Sequence, residues 1–270
     1  SLDFDSQEGR EQLMELIRSA DVLVEQFRPG VMQQLGLDYE SVRQHNPKLI
    51  YVSLTGYGQS GPMAQQAGHD INYIGYAGVL ALTGSPKTGP VLPGVQIADV
   101  AGGAYWLIIR TLAALWQRQR TGAGQHVDVA MLEGVLPLIT LQWAQYRASG
   151  QHFGPGEHPL AGGLANYNVY RCKDGKYVAL GALEQKFWEG FCDLVERPEW
   201  KPLHFAMGKE GERLKKALQK LFQQRTRDEW LTLAEGKDVC LSPVLGVEEM
   251  EALFSRMSYE MVRRLFADLK

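Results

Sequence analysis

His69 and Asp99 are the side chains whose types and positions most favour chemistry, since each stands at the start of an apolar, helix-like segment. The loop between these segments, residues 84–94, holds three prolines and is short enough for the two helices to be neighbours. If the helix N-termini converge, one imidazole and one carboxylate face a shared pocket. Such a pair can hold opposite protonation states near neutral pH, which suits it to acid–base catalysis.

The same region also has simpler structural interpretations. His69 could be a half-buried side chain bonded to backbone, and Asp70 is expected to be the N-cap of the first helix. Asp99 could cap the second helix, a role that an acid at a helix N-terminus combines readily with catalysis. Gly102 and Gly103 each cost about 1 kcal/mol relative to Ala in a helix, which makes sense if something approaches the backbone closely there.

Two charged residues outside this region are further candidates. Glu184 follows Gly181-Ala182-Leu183 at a predicted strand-to-helix junction, where it could also simply complement the helix dipole. Arg28 lies in a predicted turn after a strand and could meet a phosphate or a carboxylate, or be an ordinary surface residue. No metal site is predicted, because metal-ligand spacing is lacking among the other histidines, His45, His126, His152, His158 and His204.

Residues 56–61 formally match the dinucleotide fingerprint G-x-G-x-x-G. Pro62 follows directly, and no Asp or Glu occurs between Asp70 and Asp99, where the fingerprint expects an acid about 20 residues on. We therefore reject a nicotinamide or flavin site. A glycine loop that covers a ligand or turns the chain is the better interpretation.

The composition is that of a globular protein, with 270 residues, 45% hydrophobic and 22% charged. A net charge of −3 predicts no general attraction to nucleic acid or to an anionic membrane. No apolar run approaches the ~20 residues of a spanning helix, because Arg110 interrupts the best candidate. The start has neither a signal peptide nor an initiator Met, and the three scattered cysteines suggest reduced thiols in a cytoplasm.

The order of elements predicts an α/β fold with a parallel sheet, followed by a small α+β domain. We expect a helix over 8–20, strands at 21–25 and 48–54, and a long helix over 99–120. The apolar face of that long helix is predicted to be Ala104, Leu107, Ile108, Leu112 and Leu115. A glycine-rich linker at 151–163 separates a domain over 1–150 from one over 164–270, and the latter opens with a hairpin that turns at Asp174-Gly175.

An ordered set of motifs then resembles the CaiB/BaiF family of class III CoA-transferases and α-methylacyl-CoA racemases, most of all its racemase branch. The motifs are Gln26-Phe27-Arg28-Pro29-Gly30-Val31, Asn46-Pro47-Lys48-Leu49-Ile50-Tyr51, residues 56–62 and 68–73, Ile97-Ala98-Asp99, Gly124-Gln125-His126-Val127-Asp128-Val129 and residues 181–187. Single motifs are weak. In this order they cover nearly the whole chain, and a chance match of that length is implausible.

The resemblance implies a large Rossmann-like domain, a small α+β domain, and an interlocked homodimer whose site lies between the large domain of one subunit and the small domain of the other. It implies that Asp99 is the family's aspartate, that His69 is the second base of the racemase branch, and that Glu184 closes the site. The substrate would be an acyl-CoA, with CoA as part of the substrate and no tightly bound cofactor. The residues implied to contact CoA are Arg28, Gly56, Tyr57, Gly58, Gly68, Asp70, Asn72 and Tyr73.

This sequence departs from the family pattern in three ways. It begins after the family's first βα segment, which contributes to CoA binding, and it ends before the usual return into the large domain. Gln34 stands where some racemases carry a basic residue. Three functions stay open: a racemase acting on C2 of a 2-methylacyl-CoA, a CoA-transferase working through an Asp99 anhydride and thioester, and a non-catalytic acyl-CoA binder.

Overall fold

The structure is a computed structural model, and it describes Asp3 and residues 6–255. The chain divides into two compact units, Ser1–Pro155 and Gly156–Lys270. The division falls inside the glycine-rich segment 151–163, while the assignment of a linker and two functional domains stays a prediction.

The sheet of the first unit is parallel, as the order of elements predicts. Strands β1 (Val22–Glu25), β2 (Ile50–Thr55) and β5 (Gln125–Ala130) lie in the order β1-β2-β5. A short antiparallel pair, β3 (Gly84–Ser85) and β4 (Gly89–Pro90), lies in the proline-containing loop. The strands place alternate side chains on the two faces of the sheet.

Of the helices in the first unit, Tyr105–Thr121 packs on strands β2 and β5. The helices of this unit are α1 (Gln7–Ser19), α2 (Val31–Gln34), α3 (Tyr39–Val42), α4 (Asp70–Tyr76), α5 (Val79–Leu82), α6 (Tyr105–Thr121), α7 (Met131–Val135) and α8 (Thr140–Ser149). A π-helical turn, Ala98–Ala104, runs directly into α6, and a 3₁₀ segment, Leu136–Ile139, separates α7 from α8. Pro137 lies in this 3₁₀ segment, where its ring removes a donor from the α-helical hydrogen-bond ladder.

The predicted apolar face of the long helix is only half right. Leu107 and Leu115 pack against the sheet residues Ile50, Val52 and Val129, but Ile108 and Leu112 are exposed. The helix is apolar on more than one side, so its periodicity alone could not tell which side the sheet covers. By length and composition Ala98–Thr121 could also span a membrane, contrary to the sequence analysis; a single such helix is weak evidence.

The second unit is α+β, as predicted. Strands β6 (Tyr167–Arg171), β7 (Tyr177–Gly181) and β8 (Leu241–Val244) form an antiparallel sheet in the order β6-β7-β8. Its helices are α9 (Gln185–Leu194), α10 (Gly208–Phe222) and α11 (Arg227–Ala234), and residues 247–255 are also helical. Gly175, with φ 81°, makes the predicted turn of the hairpin.

Two glycines allow the backbones of the π-helical turn and α7 to touch. A Cβ atom on Gly134 would lie 1.9 Å from the Gly102 carbonyl oxygen, and one on Gly102 would lie 2.5 Å from the Met131 carbonyl oxygen. The close approach that Gly102 predicts is therefore made by α7 of the same chain. Because Asp99 lies in this turn, the contact fixes the segment that carries it.

We expect Gly134→Ala to lower the free energy of unfolding by about 1–3 kcal/mol, because a methyl group there overpacks a backbone contact. Gly75→Ala is the matched control, since nothing lies within 4 Å of a Cβ at this helical position. The control should be neutral or stabilising, by up to about 1 kcal/mol. Urea denaturation of both variants tests the contact, and equal stability of the two would contradict it.

Candidate active site

His69 begins helix α4 as its N-cap residue, so the prediction that Asp70 caps this helix is wrong. The backbone N–H of His69 donates to the Asn72 side-chain oxygen at 3.0 Å, which ties the cap to the first turn. Asp70 is the first residue inside the helix. The imidazole of His69 is thereby carried at the exposed N-terminal end of α4.

Asp70 instead caps the neighbouring helical segment. Its Oδ2 atom accepts the backbone N–H of Ala98 at 2.5 Å and the N–H of Asp99 at 3.0 Å. Of the roles left open for Asp99, the structure does not show that of a cap: Ile97 is the N-cap, without a side-chain bond, and Asp99 lies in the first turn. A single carboxylate therefore joins the helix of His69 to the turn that carries Asp99.

The surroundings of Asp99 raise the pKa of its carboxyl group above its usual value. Partial burial is the largest cause, the negative charge of Asp70 adds to it, and the positive charge of His69 opposes it. The structure thus brings His69, Asp70 and Asp99 within electrostatic reach of one another. π-helical turns of this kind occur frequently at functional sites in proteins.

Two tyrosine rings explain why glycine stands at two positions of the motifs that carry the family resemblance. A Cβ atom on Gly56 would lie 2.3 Å from the Tyr73 ring, and one on Gly68 would lie 2.8 Å from the Tyr57 hydroxyl oxygen. Tyr57 and Tyr73 pack edge to face, and the Tyr73 hydroxyl donates to the Gly68 carbonyl at 2.5 Å. Burial raises the pKa of Tyr73, with added contributions from Tyr57 and Asp99, while Arg28 lowers it. Gly56 and Gly68 thus leave room for the rings of Tyr57 and Tyr73, and Gly68 directly precedes His69.

The glycine loop after β2 is held by Asp128, a residue that the sequence analysis did not single out. The Gln59 N–H donates to Asp128 Oδ2 at 2.9 Å, and the Gly58 N–H donates to Thr55 Oγ1 at 3.0 Å. Gly58 has φ 86°, which favours glycine. The alternation of β5 could have revealed Asp128, because it follows the buried Val127 and faces the other side of the strand.

Arg28 lines a cleft of about 310 Å³ that does not include His69 or Asp99. Glu25, Ser53 and His126 line the same cleft. His126, to which the sequence analysis gave no role, lies 2.9 Å from Ser53 Oγ through its Nε2 atom and stacks on a tyrosine ring. The structure therefore gives Arg28 a polar cleft as its immediate surroundings, together with a long-range effect on Tyr73.

Glu184 lies in the second unit, at the N-cap of α9. Its carboxylate is exposed and does not cap its own helix. The relation of Glu184 to His69 stays a prediction, as do CoA contacts by Arg28 and the other residues implied by the resemblance. Among the residues that the structure describes, no cluster of three or more His, Cys, Asp or Glu side chains could hold a metal ion.

Comparison with known proteins places this architecture among α/β proteins of the CaiB/BaiF type. A Brucella suis CAIB/BAIF family protein of known crystal structure matches with a TM-score of 0.78 and 34% identity, covering 93% of this chain and 67% of that one. The sequence profile of CoA-transferase family III matches residues 1–267. The chain belongs to CoA-transferase family III.

The similar proteins include both racemases and CoA-transferases. Human alpha-methylacyl-CoA racemase is 38% identical over 250 residues, which are 92% of this chain and 65% of the human protein. Human succinyl-CoA:glutarate CoA-transferase is 31% identical over 250 residues, which are 90% of this chain and 56% of that protein. The chain thus spans less than two thirds of the length of either human relative.

We expect Asp70→Asn to lower the pKa of Asp99, because asparagine keeps an acceptor oxygen for the two N–H groups but removes the negative charge that raises this pKa. The ¹³C shift of the Asp99 carboxyl group, followed against pH, measures the change. Asp38→Asn is the matched control, since Asp38 accepts backbone N–H groups at the start of α3. An Asp99 pKa that stays unchanged or rises in Asp70→Asn would contradict the coupling.

Proposed function

We propose that this protein is a racemase or epimerase that inverts C2 of a 2-methylacyl-CoA by two-base proton transfer. The observation that carries the proposal is the joining of His69 and Asp99 through Asp70, which holds two groups of different basicity at the starts of adjacent helical segments. Similarity to human alpha-methylacyl-CoA racemase supports it.

Inversion at C2 needs one base on each face of the carbon. In one direction the Asp99 carboxylate takes the C2 proton, the electron pair moves onto the thioester oxygen as an enolate, and the His69 imidazolium protonates the opposite face. The reverse direction exchanges these roles. Because the pKa of Asp99 is raised, it lies closer to that of an imidazole, and this favours proton transfer in both directions.

The enolate oxygen needs hydrogen-bond donors, and Asp70 restricts where these can be. The N–H groups of Ala98 and Asp99 already donate to the Asp70 carboxylate. We therefore assign the enolate oxygen to backbone donors at the start of α4, beside His69, rather than to the start of the π-helical turn. Glu184 of a partner subunit would orient His69 in the homodimer that the family resemblance implies.

The alternative is a CoA-transferase. Asp99 would then attack the acyl thioester, expel the CoA thiolate and form a mixed anhydride, which the thiolate would reopen to give an aspartyl-CoA thioester and a free acid. Asp99 is only partly buried and stays largely exposed, which suits this route, and similarity to human succinyl-CoA:glutarate CoA-transferase supports it. His69 has no evident task in this route.

Deuterium incorporation at C2 in D₂O, measured separately from each enantiomer of a 2-methylacyl-CoA, tests the proposal. The unaltered protein should exchange C2 hydrogen and invert both enantiomers without any acyl acceptor. Each single-base variant, His69→Asn or Asp99→Asn, should lose inversion by about 10²–10⁴-fold. Each should still exchange the one enantiomer whose C2 hydrogen faces the remaining base, and the two variants should retain opposite enantiomers.

A lack of C2 deuterium exchange by the unaltered protein would contradict the proposal of a racemase. A hydroxylamine-sensitive CoA adduct on Asp99, formed when a carboxylic acid acceptor is supplied, would establish the transferase instead. If neither exchange nor an adduct forms although acyl-CoA binds, the protein is a non-catalytic binder.

A further inference from the structure

Glutamate is an unusual residue at the N-cap of a helix, which is the position of Glu184 before α9. N-cap side chains such as Ser, Asp and Asn usually fix a helix start by bonding its free N–H groups, and glutamate is too long to do this well. Here the Glu184 side chain makes no cap bond and is exposed. Something other than its own side chain must therefore hold the start of α9.

Asn166 provides the first support for the loop that leads to Glu184. Its side chain is 1% exposed, and its Nδ2 atom donates to the Ala182 carbonyl oxygen at 2.6 Å. A buried amide needs partners, since leaving one unpaired costs about 1–3 kcal/mol. This bond joins residues 16 positions apart in the sequence, and it ties the loop before Glu184 to the segment directly before β6.

His204 provides the second support, from a different element. It follows the 3₁₀ segment Pro198–Leu203, it is 9% exposed, and its Nε2 atom lies 2.8 Å from the Leu183 carbonyl oxygen. A carbonyl oxygen can only accept, so this nitrogen carries its hydrogen whether the ring is neutral or charged. The support does not depend on the charge of His204.

Backbone bonds complete the loop before Glu184. The Gly181 N–H donates to the Cys240 carbonyl at 2.9 Å, and the Leu183 N–H donates to the Gly181 carbonyl at 2.8 Å. The Glu184 carbonyl itself accepts the N–H groups of residues 187 and 188 at 3.1 Å each. All four carbonyl groups from 181 to 184 are thus bonded, and two of these bonds come from buried side chains.

We infer that Asn166 and His204 are positioning residues for Glu184: by holding the carbonyl groups of Ala182 and Leu183, they fix the point from which the carboxylate projects. The inference rests on the proposed function for the task of Glu184. A carboxylate that must orient another group needs a rigid backbone beneath it, because small displacements of positioned groups are costly in catalysis. The hydrogen bonds to the carbonyl groups of Ala182 and Leu183 provide this rigidity and leave the Glu184 carboxylate free to bond elsewhere.

The test compares His204→Phe and Asn166→Ala with His204→Gln, which restores a donor, and with Trp230→Phe. The last is a matched control because it removes a buried side-chain donor from the Phe222 carbonyl, elsewhere in the same unit. Amide hydrogen exchange of residues 181–188 reports on the loop directly. Rates of C2 deuterium exchange, with Glu184→Gln as reference, report on its consequence.

We expect amide exchange in 181–188 to become about tenfold faster in His204→Phe and Asn166→Ala and to recover partly in His204→Gln. In the same two variants kcat should fall about 10- to 100-fold, towards the value of Glu184→Gln, with KM within about twofold. Trp230→Phe should lower the melting temperature and leave both readouts unchanged.

Unchanged amide exchange in both variants would overturn the inference, whatever the activity. So would a normal kcat in both variants while Glu184→Gln is slow. If the unaltered protein exchanges no C2 deuterium, the proposed function fails; the amide exchange of 181–188 then still decides whether Asn166 and His204 fix the start of α9.

Discussion

The first unit's site depends on one interaction, the bond of the Asp70 carboxylate to the N–H groups of Ala98 and Asp99. The free N–H groups of a helix start form an anion site, and here the anion is a side chain from the neighbouring helix. Asp70 lies directly after His69, so the position of the imidazole and the position of the Asp99 carboxylate are tied to the same residue. This contact also has an electrostatic consequence: burial raises the pKa of Asp99 most, and the charge of Asp70 raises it further.

Close backbone contacts make this arrangement rigid. The π-helical turn that carries Asp99 touches α7 through Gly102 and Gly134, and the rings of Tyr57 and Tyr73 fit against Gly56 and Gly68. Tyr57, Tyr73, Ala98 and Val135 belong to one buried cluster with Ile74. The glycines of the site therefore serve packing within the chain, which is a different use from the cradling of a ligand that a glycine motif first suggests.

Sequence patterns predicted the parts of the fold that depend on local composition and turns. The strands at 22–25 and 50–55 follow from short runs rich in Val, Ile and Tyr, the α+β character of the second unit from the order of its elements, and the hairpin at Asp174-Gly175 from turn chemistry. The prediction that Asp70 caps its own helix was wrong, because His69 is that cap and the Asp70 carboxylate instead accepts N–H groups 28 and 29 residues away, a contact that local sequence does not reveal. Asn166 and His204 were missed for the same reason, since their partners lie 16 and 21 residues distant.

The two carboxylates at issue are held in opposite ways, and this bears on the choice of chemistry. Asp99 lies in a rigid turn, where partial burial and the charge of Asp70 raise its pKa although His69 opposes them, so its carboxylate is a stronger base than that of a free aspartate. Glu184 is unbonded at its carboxylate and firmly held at its backbone. A nucleophilic aspartate needs neither a second base nor an orienting acid, whereas inversion at C2 uses His69 as the second base and gives Glu184 a group to orient. The proposed racemase thus gives a role to His69, Asp99 and Glu184 alike, and this is why we propose proton transfer rather than acyl transfer.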